Sequence, residues 1–278
     1  MSWCPVPSVR KAAAAAAPRP ALSEELKAGS EREHDGSNRL VLGRAALAFS
    51  NPAVWAELLA QFQVVHRELE RALDVASSAD ARVARLHAAY FRRLARSDAF
   101  LTDVSFHGGG AAPAPPVPAT LAYTSHLAQL AKEAPLLVLS HAQTQYLAML
   151  AGGQQLARMV TSAMALPRDG RGVAAFDFAA AVAPAERSAF KAALKRDFDA
   201  LGEALTDEQR AGLMREKRDV FARNNAIIST VLNKAQGSLV VAWLRLFAAH
   251  FTPLVRRWRT ILFFLVLAAL LVRVYAQY

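Results

Sequence analysis

The sequence predicts an all-α domain followed by a C-terminal transmembrane helix. Three observations carry this. Apolar residues recur at i, i+3 and i+4 through most of the chain. Alanine and leucine dominate, while Gly and Pro stand at only 13 each in 278 residues, a balance that favours helices over strands. No run alternates apolar and polar residues in the manner of a strand, and no internal repeat is visible. A hydrophobic content of 54% excludes disorder throughout. The single cysteine, Cys4, excludes an intramolecular disulfide and a cysteine-based zinc site.

The formal charge of +10 invites a nucleic-acid or membrane reading, and its location decides between them. Residues 1–22 hold Arg10, Lys11 and Arg19 with no acid, and residues 253–278 hold Arg256, Arg257, Arg259 and Arg273 with no acid. Taking these ends away leaves +3 for residues 23–252, so the middle is nearly balanced and no nucleic-acid-binding face is expected.

In chain order, residues 1–22 form a basic leader whose Pro5, Pro7, Pro18 and Pro20 break any amphipathic helix, so it reads as disordered, with an organelle transit peptide as the alternative. A helical domain is expected over 23–240. Within it, 52–76 places Val54, Leu58, Phe62, Val65, Leu69 and Leu73 on one helical face, and 80–97 continues as a second amphipathic stretch. Three glycines and four prolines at 108–119 make a surface loop. Helices follow at 120–134 and 136–165, a turn at 167–172 (PRDGRG), and helices at 184–202 and 206–235, the last opening on a Thr206…Glu208 start signal. Residues 241–259 are expected as a membrane-proximal linker helix. Residues 260–278 read as a tail anchor, with a buried terminal helix as the alternative because the run is short for a span: 12 uninterrupted apolar residues run from Ile261 to Val272. As a helix this segment would rise about 28 Å at ~1.5 Å per residue, close to the ~30 Å hydrocarbon core. Arg256, Arg257, Trp258 and Arg259 suit its cytosolic flank.

Two features inside the helices are unusual. Gly152 and Gly153 sit together in LVLSHAQTQYLAMLAGGQQLARMV, where two glycines cost roughly 2 kcal/mol relative to alanine. Such a pair implies a kink or the close approach of something flat to the backbone. His34 is a histidine on an otherwise charged helix. GxGxxG, P-loop and HExxH motifs are absent.

Five collinear blocks resemble the heme oxygenase family. Residues 118–154, PATLAYTSHLAQLAKEAPLLVLSHAQTQYLAMLAGGQ, resemble its distal-helix block, which ends in YLGDLSGGQ. Residues 157–178 resemble the next helix and an aromatic FxF segment, and LKAGSEREH (26–34) resembles the proximal helix. FKAALKRDFDAL (190–201) resembles a helix bearing propionate-binding bases, and FARNN (221–225) a Phe-x-x-Asn feature of the last heme-contacting helix. The blocks cover roughly residues 23–235, and the tail anchor matches eukaryotic members of the family.

The resemblance implies heme b as substrate and cofactor, with His34 as the proximal iron ligand. It implies Lys27, Lys191 and Lys195 as partners of the heme propionates, Ala148, Gly152 and Gly153 as the backbone lying against the porphyrin, and Phe221 and Asn224 as pocket wall. It implies cleavage of heme to biliverdin, carbon monoxide and ferrous iron, with electrons from NADPH through a flavoprotein reductase, on the cytosolic face of the endoplasmic reticulum or, alternatively, the mitochondrial outer membrane. The distal side departs from the family pattern. Met149 stands where the family has an aspartate that anchors a water network, Ala148 where it has glycine, Gln145 where it has arginine, Gln143 where it has tyrosine, and Glu31 where it has a second proximal lysine. Methionine is a poor holder of water. Thr144, Gln145 or Gln143 must then hold it for catalysis. The alternative is a heme carrier, buffer or sensor without turnover, one version of which has Met149 ligating iron opposite His34. A third reading is a heme-free helical interaction module.

Overall fold

The computed structural model describes residues 19–49 and 51–235, and all regular structure among them is helical. The parts of the expected leader before Arg19, the linker helix 241–259 and the tail anchor 260–278 lie outside the described residues. No helix among the described residues is long and apolar enough to cross a membrane.

Among the described residues, packing begins at Arg19–Leu22. Arg19 pairs with Asp207 at 3.0 Å, and Leu22 is fully buried at the start of α1 (Leu22–Ala28). A turn at Gly29-Ser30 separates α1 from α2 (Glu31–Phe49), so the proximal block is two helices rather than one. The long α3 (Pro52–Ala79) follows, capped by the Asn51 side chain, which accepts from the Ala53 N–H at 3.0 Å, with Pro52 at the first helical position. Its predicted face holds: Leu58, Val65, Leu69 and Leu73 are buried, and Val54 and Phe62 are half-buried against the core.

The stretch 80–97 is not one helix. Asp80 caps α4 (Ala81–Leu86) by accepting from the Arg82 N–H at 2.8 Å; a π-turn then spans His87–Phe91 and a 3-10 turn Arg92–Leu94. The wider π-turn lets the adjacent Tyr90 and Phe91 both be buried. The Tyr90 hydroxyl donates to Asp197 at 2.7 Å, while Phe91 stacks on Tyr146 at 6.0 Å. Helix α5 (Ser97–His107) completes this half.

The Gly/Pro loop is pinned from inside. Gln61, fully buried on α3, donates to the Pro115 carbonyl at 3.1 Å and accepts from the Val117 N–H and Thr120 hydroxyl, both at 2.8 Å. These bonds fix the start of α6 (Pro118–Glu133), which uses Pro118 as its first residue, so the helix begins two residues earlier than expected. Helix α7 (Val138–Ala163) runs through Gly152-Gly153 without a break in its helical assignment. Two glycines at positive φ, Gly170 and Gly172, make the PRDGRG turn.

Helix α8 (Arg187–Glu203) lies on α1: a Cβ at Gly202 would stand 2.5 Å from Leu22 Cβ. Helix α9 (Asp207–Ala235) opens with a capping box, in which the Gln209 N–H donates to Thr206 Oγ1 at 3.2 Å and the Thr206 N–H donates to Gln209 Oε1 at 3.1 Å. The partner of Thr206 is therefore Gln209 rather than Glu208. The buried Arg210 guanidinium ties α9 back to the chain start, donating to Glu25, to the Gly202 carbonyl and to the Pro20 carbonyl.

Candidate functional site

A cavity of about 670 Å³ opens between α2, α3, α7 and α9. Its size is that of a site enclosing a sizeable small molecule. From α7 it takes Gln145, Ala148, Met149, Gly152, Leu156 and Met159, a stripe at three- and four-residue spacing that any straight helix presents to one side. Helix α3 adds Trp55, Leu58, Phe62 and His66, and α2 adds His34, Asn38, Arg44 and Phe49. The wall is mainly apolar and aromatic. Among the described residues it contains no aspartate or glutamate, and Arg44 is its one arginine or lysine.

The two glycines of α7 do different jobs. A Cβ on Gly152 would meet nothing within 4 Å, because that position faces the open cavity. A Cβ on Gly153 would come within 3.2 Å of Phe176 Cδ1, so Gly153 lets Phe176 lie against the helix. Phe176 in turn stacks on Trp55 at 6.3 Å with ring planes 20° apart. Its placement comes from Asp103, fully buried on α5, whose carboxylate accepts the N–H groups of Ala174 and Ala175 at 2.8 Å each. Burial raises the Asp103 pKa, and those two bonds oppose the rise.

His34 lies on the α2 wall with its side chain 57% exposed. Asn38, one turn on, places its amide 3.3 Å from Nδ1 and 3.4 Å from Nε2, and Phe221 of α9 meets the ring edge-on at 6.0 Å. Phe221 thus contacts the histidine rather than the cavity. Asn224 also stands behind the wall: it accepts from Gln145 Nε2 at 2.9 Å and returns a bond to Gln145 Oε1 at 3.3 Å. Of the three distal polar candidates only Gln145 reaches the cavity. Thr144 and Gln143 are rotated off that face by about 100° and 200°. The Thr144 hydroxyl is buried without a protein partner, and Gln143 Oε1 accepts from Lys217 Nζ at 3.1 Å. Burial lowers the Lys217 pKa to about 8.

The predicted cations stand elsewhere. Lys27, Lys191 and Lys195 are exposed and none forms the cavity wall. Lys195 pairs with Glu24 at 2.8 Å, because α8 leans on α1. The wall itself carries Arg44, which donates to Asn233 Oδ1 at 2.9 Å.

His66 escaped the sequence reading. It sits on the apolar face of α3, one turn after Phe62, with ring centroids 4.8 Å from Phe100 and 5.6 Å from Tyr146. Burial first, and then the charge of Arg96, lower its pKa to about 3, so the imidazole is neutral. Its buried Nδ1 and the buried Nε1 of Trp55 have no protein partner. The only sequence signal was a histidine in register with Leu58, Phe62 and Leu69.

Behind Gln145 a polar seam crosses the bundle. Gln145 Nε2 donates to the Tyr123 hydroxyl at 3.3 Å, that hydroxyl lies 3.0 Å from His141 Nδ1, and His141 Nε2 lies 2.9 Å from Glu216 Oε2.

The Heme oxygenase family model matches residues 20–230. A crystal structure of heme oxygenase 2 from Chlamydomonas reinhardtii without heme superposes with a TM-score of 0.69 at 34% identity, covering 76% of this chain and 97% of that one. Heme oxygenase 2 of Synechocystis is 28% identical over 173 residues, 61% of this chain and 67% of the relative. A structure of heme oxygenase-2 from Synechocystis in complex with heme and NO shares the fold, with a TM-score of 0.70 at 24% identity, covering 79% of this chain and 88% of that one. With the family model spanning all but the end of the helical body that encloses the cavity, this chain belongs to the heme oxygenase family.

Proposed function

We propose that this chain binds heme b in the cavity between α2 and α7 and cleaves it to biliverdin, carbon monoxide and ferrous iron. One observation carries the reading: the cavity presents the His34 imidazole on one wall and, on another, the side-chain-free Gly152 with open space before it. A planar macrocycle with an axial imidazole ligand is the ligand chemistry that uses both. The residues present fit such a group, since the remaining wall is apolar and aromatic and two buried polar atoms on it, His66 Nδ1 and Trp55 Nε1, have no protein partner.

Bound heme supplies an iron that activates dioxygen and is itself the molecule oxidised. The chain's own residues do the rest. His34 is the proximal ligand, its ring braced by Asn38 and Phe221. Gly152 and Ala148 let α7 lie close to the ring, while Trp55, Phe176 and Phe49 keep bulk water out. Arg44 and the exposed Lys27, Lys191 and Lys195 are the cations for the propionates, with Lys195 exchanging Glu24 for a propionate on binding. Gln145 and His66 are the wall groups that hold water for proton delivery, in the role the family gives to an aspartate at position 149.

The chain acts on the cytosolic face of the endoplasmic reticulum, or alternatively of the mitochondrial outer membrane, held by residues 260–278. The 12-residue apolar run and its arginine flank support this reading. Electrons come from NADPH through a flavoprotein reductase.

A second reading is favoured by the absence of any acid on the wall among the described residues: a heme carrier or sensor without turnover. Hemin titration of the full chain, followed by reductase and NADPH, separates the two. A Soret shift abolished by His34→Ala, with biliverdin formed, supports cleavage. The same shift without biliverdin assigns the carrier role, and no shift removes both. A low-spin spectrum lost in Met149→Ala would identify Met149 as the second axial ligand.

A further inference from the structure

One helical turn before Gln145 on α7, beyond the cavity wall, three side chains from three helices converge. His126 (α6) Nε2 lies 2.8 Å and His141 (α7) Nε2 lies 2.9 Å from the same oxygen of Glu216 (α9), and the three donor atoms fall within 4.8 Å of one another. We propose that His126, His141 and Glu216 form a binding site for a divalent transition metal, with zinc as the best-matched ion. This assignment is independent of heme binding.

Two imidazoles and a carboxylate are a zinc donor set that leaves a fourth position open. A tetrahedral ion with bonds of about 2.1 Å needs ligand atoms about 3.4 Å apart. The observed 2.8 and 2.9 Å contacts reach this by opening about half an ångström, within the reach of rotamer adjustment on three helices. Asp219, with Oδ2 3.6 Å from His126 Nε2, is close enough to donate to the fourth position directly or through water. Asp219, bonded by Arg223, thus puts a second carboxylate beside the two imidazoles.

The ligands are also prepared for a metal. Both imidazole Nε2 atoms already converge on one carboxylate oxygen of Glu216, so the donor atoms of all three side chains point at a common centre. With Nε2 on the ion, the His141 Nδ1–H would donate a hydrogen bond to the Tyr123 hydroxyl, 3.0 Å away, the outer contact that orients metal-bound histidines. An entry path exists, since the His126 and Glu216 side chains are 23% and 16% exposed while His141 is closed off at 0%.

The test uses the full chain, heme-free and stripped with chelator. Zn²⁺ is titrated in competition with a chromophoric chelator, and Co²⁺ is added separately to read its visible d–d bands. The proposal expects one Zn²⁺ per chain, intense tetrahedral-type Co²⁺ bands, a metal-dependent rise in melting temperature, and no change in any of these in His34→Ala. His126→Ala and Glu216→Gln should each lose stoichiometric binding while keeping wild-type helical circular dichroism, and Tyr123→Phe should weaken affinity about 10–100-fold. Absence of stoichiometric Zn²⁺ binding by the wild-type chain overturns the proposal whatever the variants do. So does binding that persists in both His126→Ala and Glu216→Gln. In either case the three residues are a hydrogen-bonded cluster only.

Discussion

Gln145 and Asn224 hydrogen-bond to each other in both directions across α7 and α9, at 2.9 Å from Gln145 Nε2 to Asn224 Oδ1 and 3.3 Å in return. The pair places one amide on the cavity wall and anchors it from behind. Replacing Gln145 with leucine strips Asn224 and the Tyr123 hydroxyl of a partner together, which should cost about 1–3 kcal/mol. Asn224→Leu should cost a similar amount. The double variant should lose clearly less than the two single losses combined, because it leaves fewer polar groups orphaned. Urea denaturation of the four proteins measures the coupling, and strictly additive losses would show that the two amides do not depend on each other.

Adjacent glycines on α7 should respond in opposite ways. Gly152 faces open space, so Gly152→Ala gains helix propensity and should stabilise the heme-free protein by about 0.5–1 kcal/mol. The same methyl stands where the macrocycle would lie, so hemin affinity should fall. Gly153→Val forces branched carbon into Phe176 and should destabilise by about 1–3 kcal/mol. Thermal melts with and without hemin separate the effects. A Gly152→Ala protein that binds hemin as tightly as wild type would place the ligand away from this face.

His66 makes the fold sensitive to acid. Its folded pKa is lowered to about 3 from an ordinary 6.5, by burial and by Arg96. Below pH 6.5 the unfolded chain takes up a proton that the folded chain refuses, so stability falls as pH drops from 6.5 toward 3, by at most about 1.4 kcal/mol per pH unit. Glu216 adds a further loss only below pH 4.5, where its depressed carboxyl begins to differ from the unfolded one. His66→Leu, close in volume and without charge, should reduce the slope between pH 6.5 and 4.5, leaving the part due to His87 and His141, which burial also lowers, and the lower limb in place. Urea midpoints across that range check it; parallel curves for the two proteins would mean that His66 is protonated in the fold.

Periodicity made the long helices legible because each buries one continuous stripe: the α3 face from Leu58 to Leu73 was readable residue by residue. What it missed depends on single long-range bonds. Gln61 holds a loop more than fifty residues away, and Asp103 sets the turn that carries Phe176, yet neither changes a local pattern. The π-turn at His87–Phe91 reads as ordinary amphipathic helix until the burial of both Tyr90 and Phe91 is seen. At the site, family motifs found His34, Gln145, Met149 and Gly152, all on the wall. They did not find Arg44 or His66, which lie on helices where nothing marks a charged or titratable residue as facing inward.

Met149 is the position where activity and binding should separate most cleanly. It lines the cavity one helical turn after Gln145 and is 9% exposed, and no acid shares the wall among the described residues. Met149→Asp introduces an acceptor that can hold water beside Gln145. A positioned proton-transfer group typically contributes 10²–10⁴-fold, so biliverdin formed per heme with reductase and NADPH should rise by about 10-fold or more. Hemin affinity should change little, since His34 and the apolar walls are untouched. Heme-free stability should drop by about 1–3 kcal/mol, because a carboxyl replaces a packed thioether in a mostly apolar environment. Single-turnover absorption spectra and urea denaturation report the two effects separately. If the wild-type chain itself forms biliverdin and the variant gains none, Gln145 and His66 already supply the water network, and the methionine is part of a working distal wall.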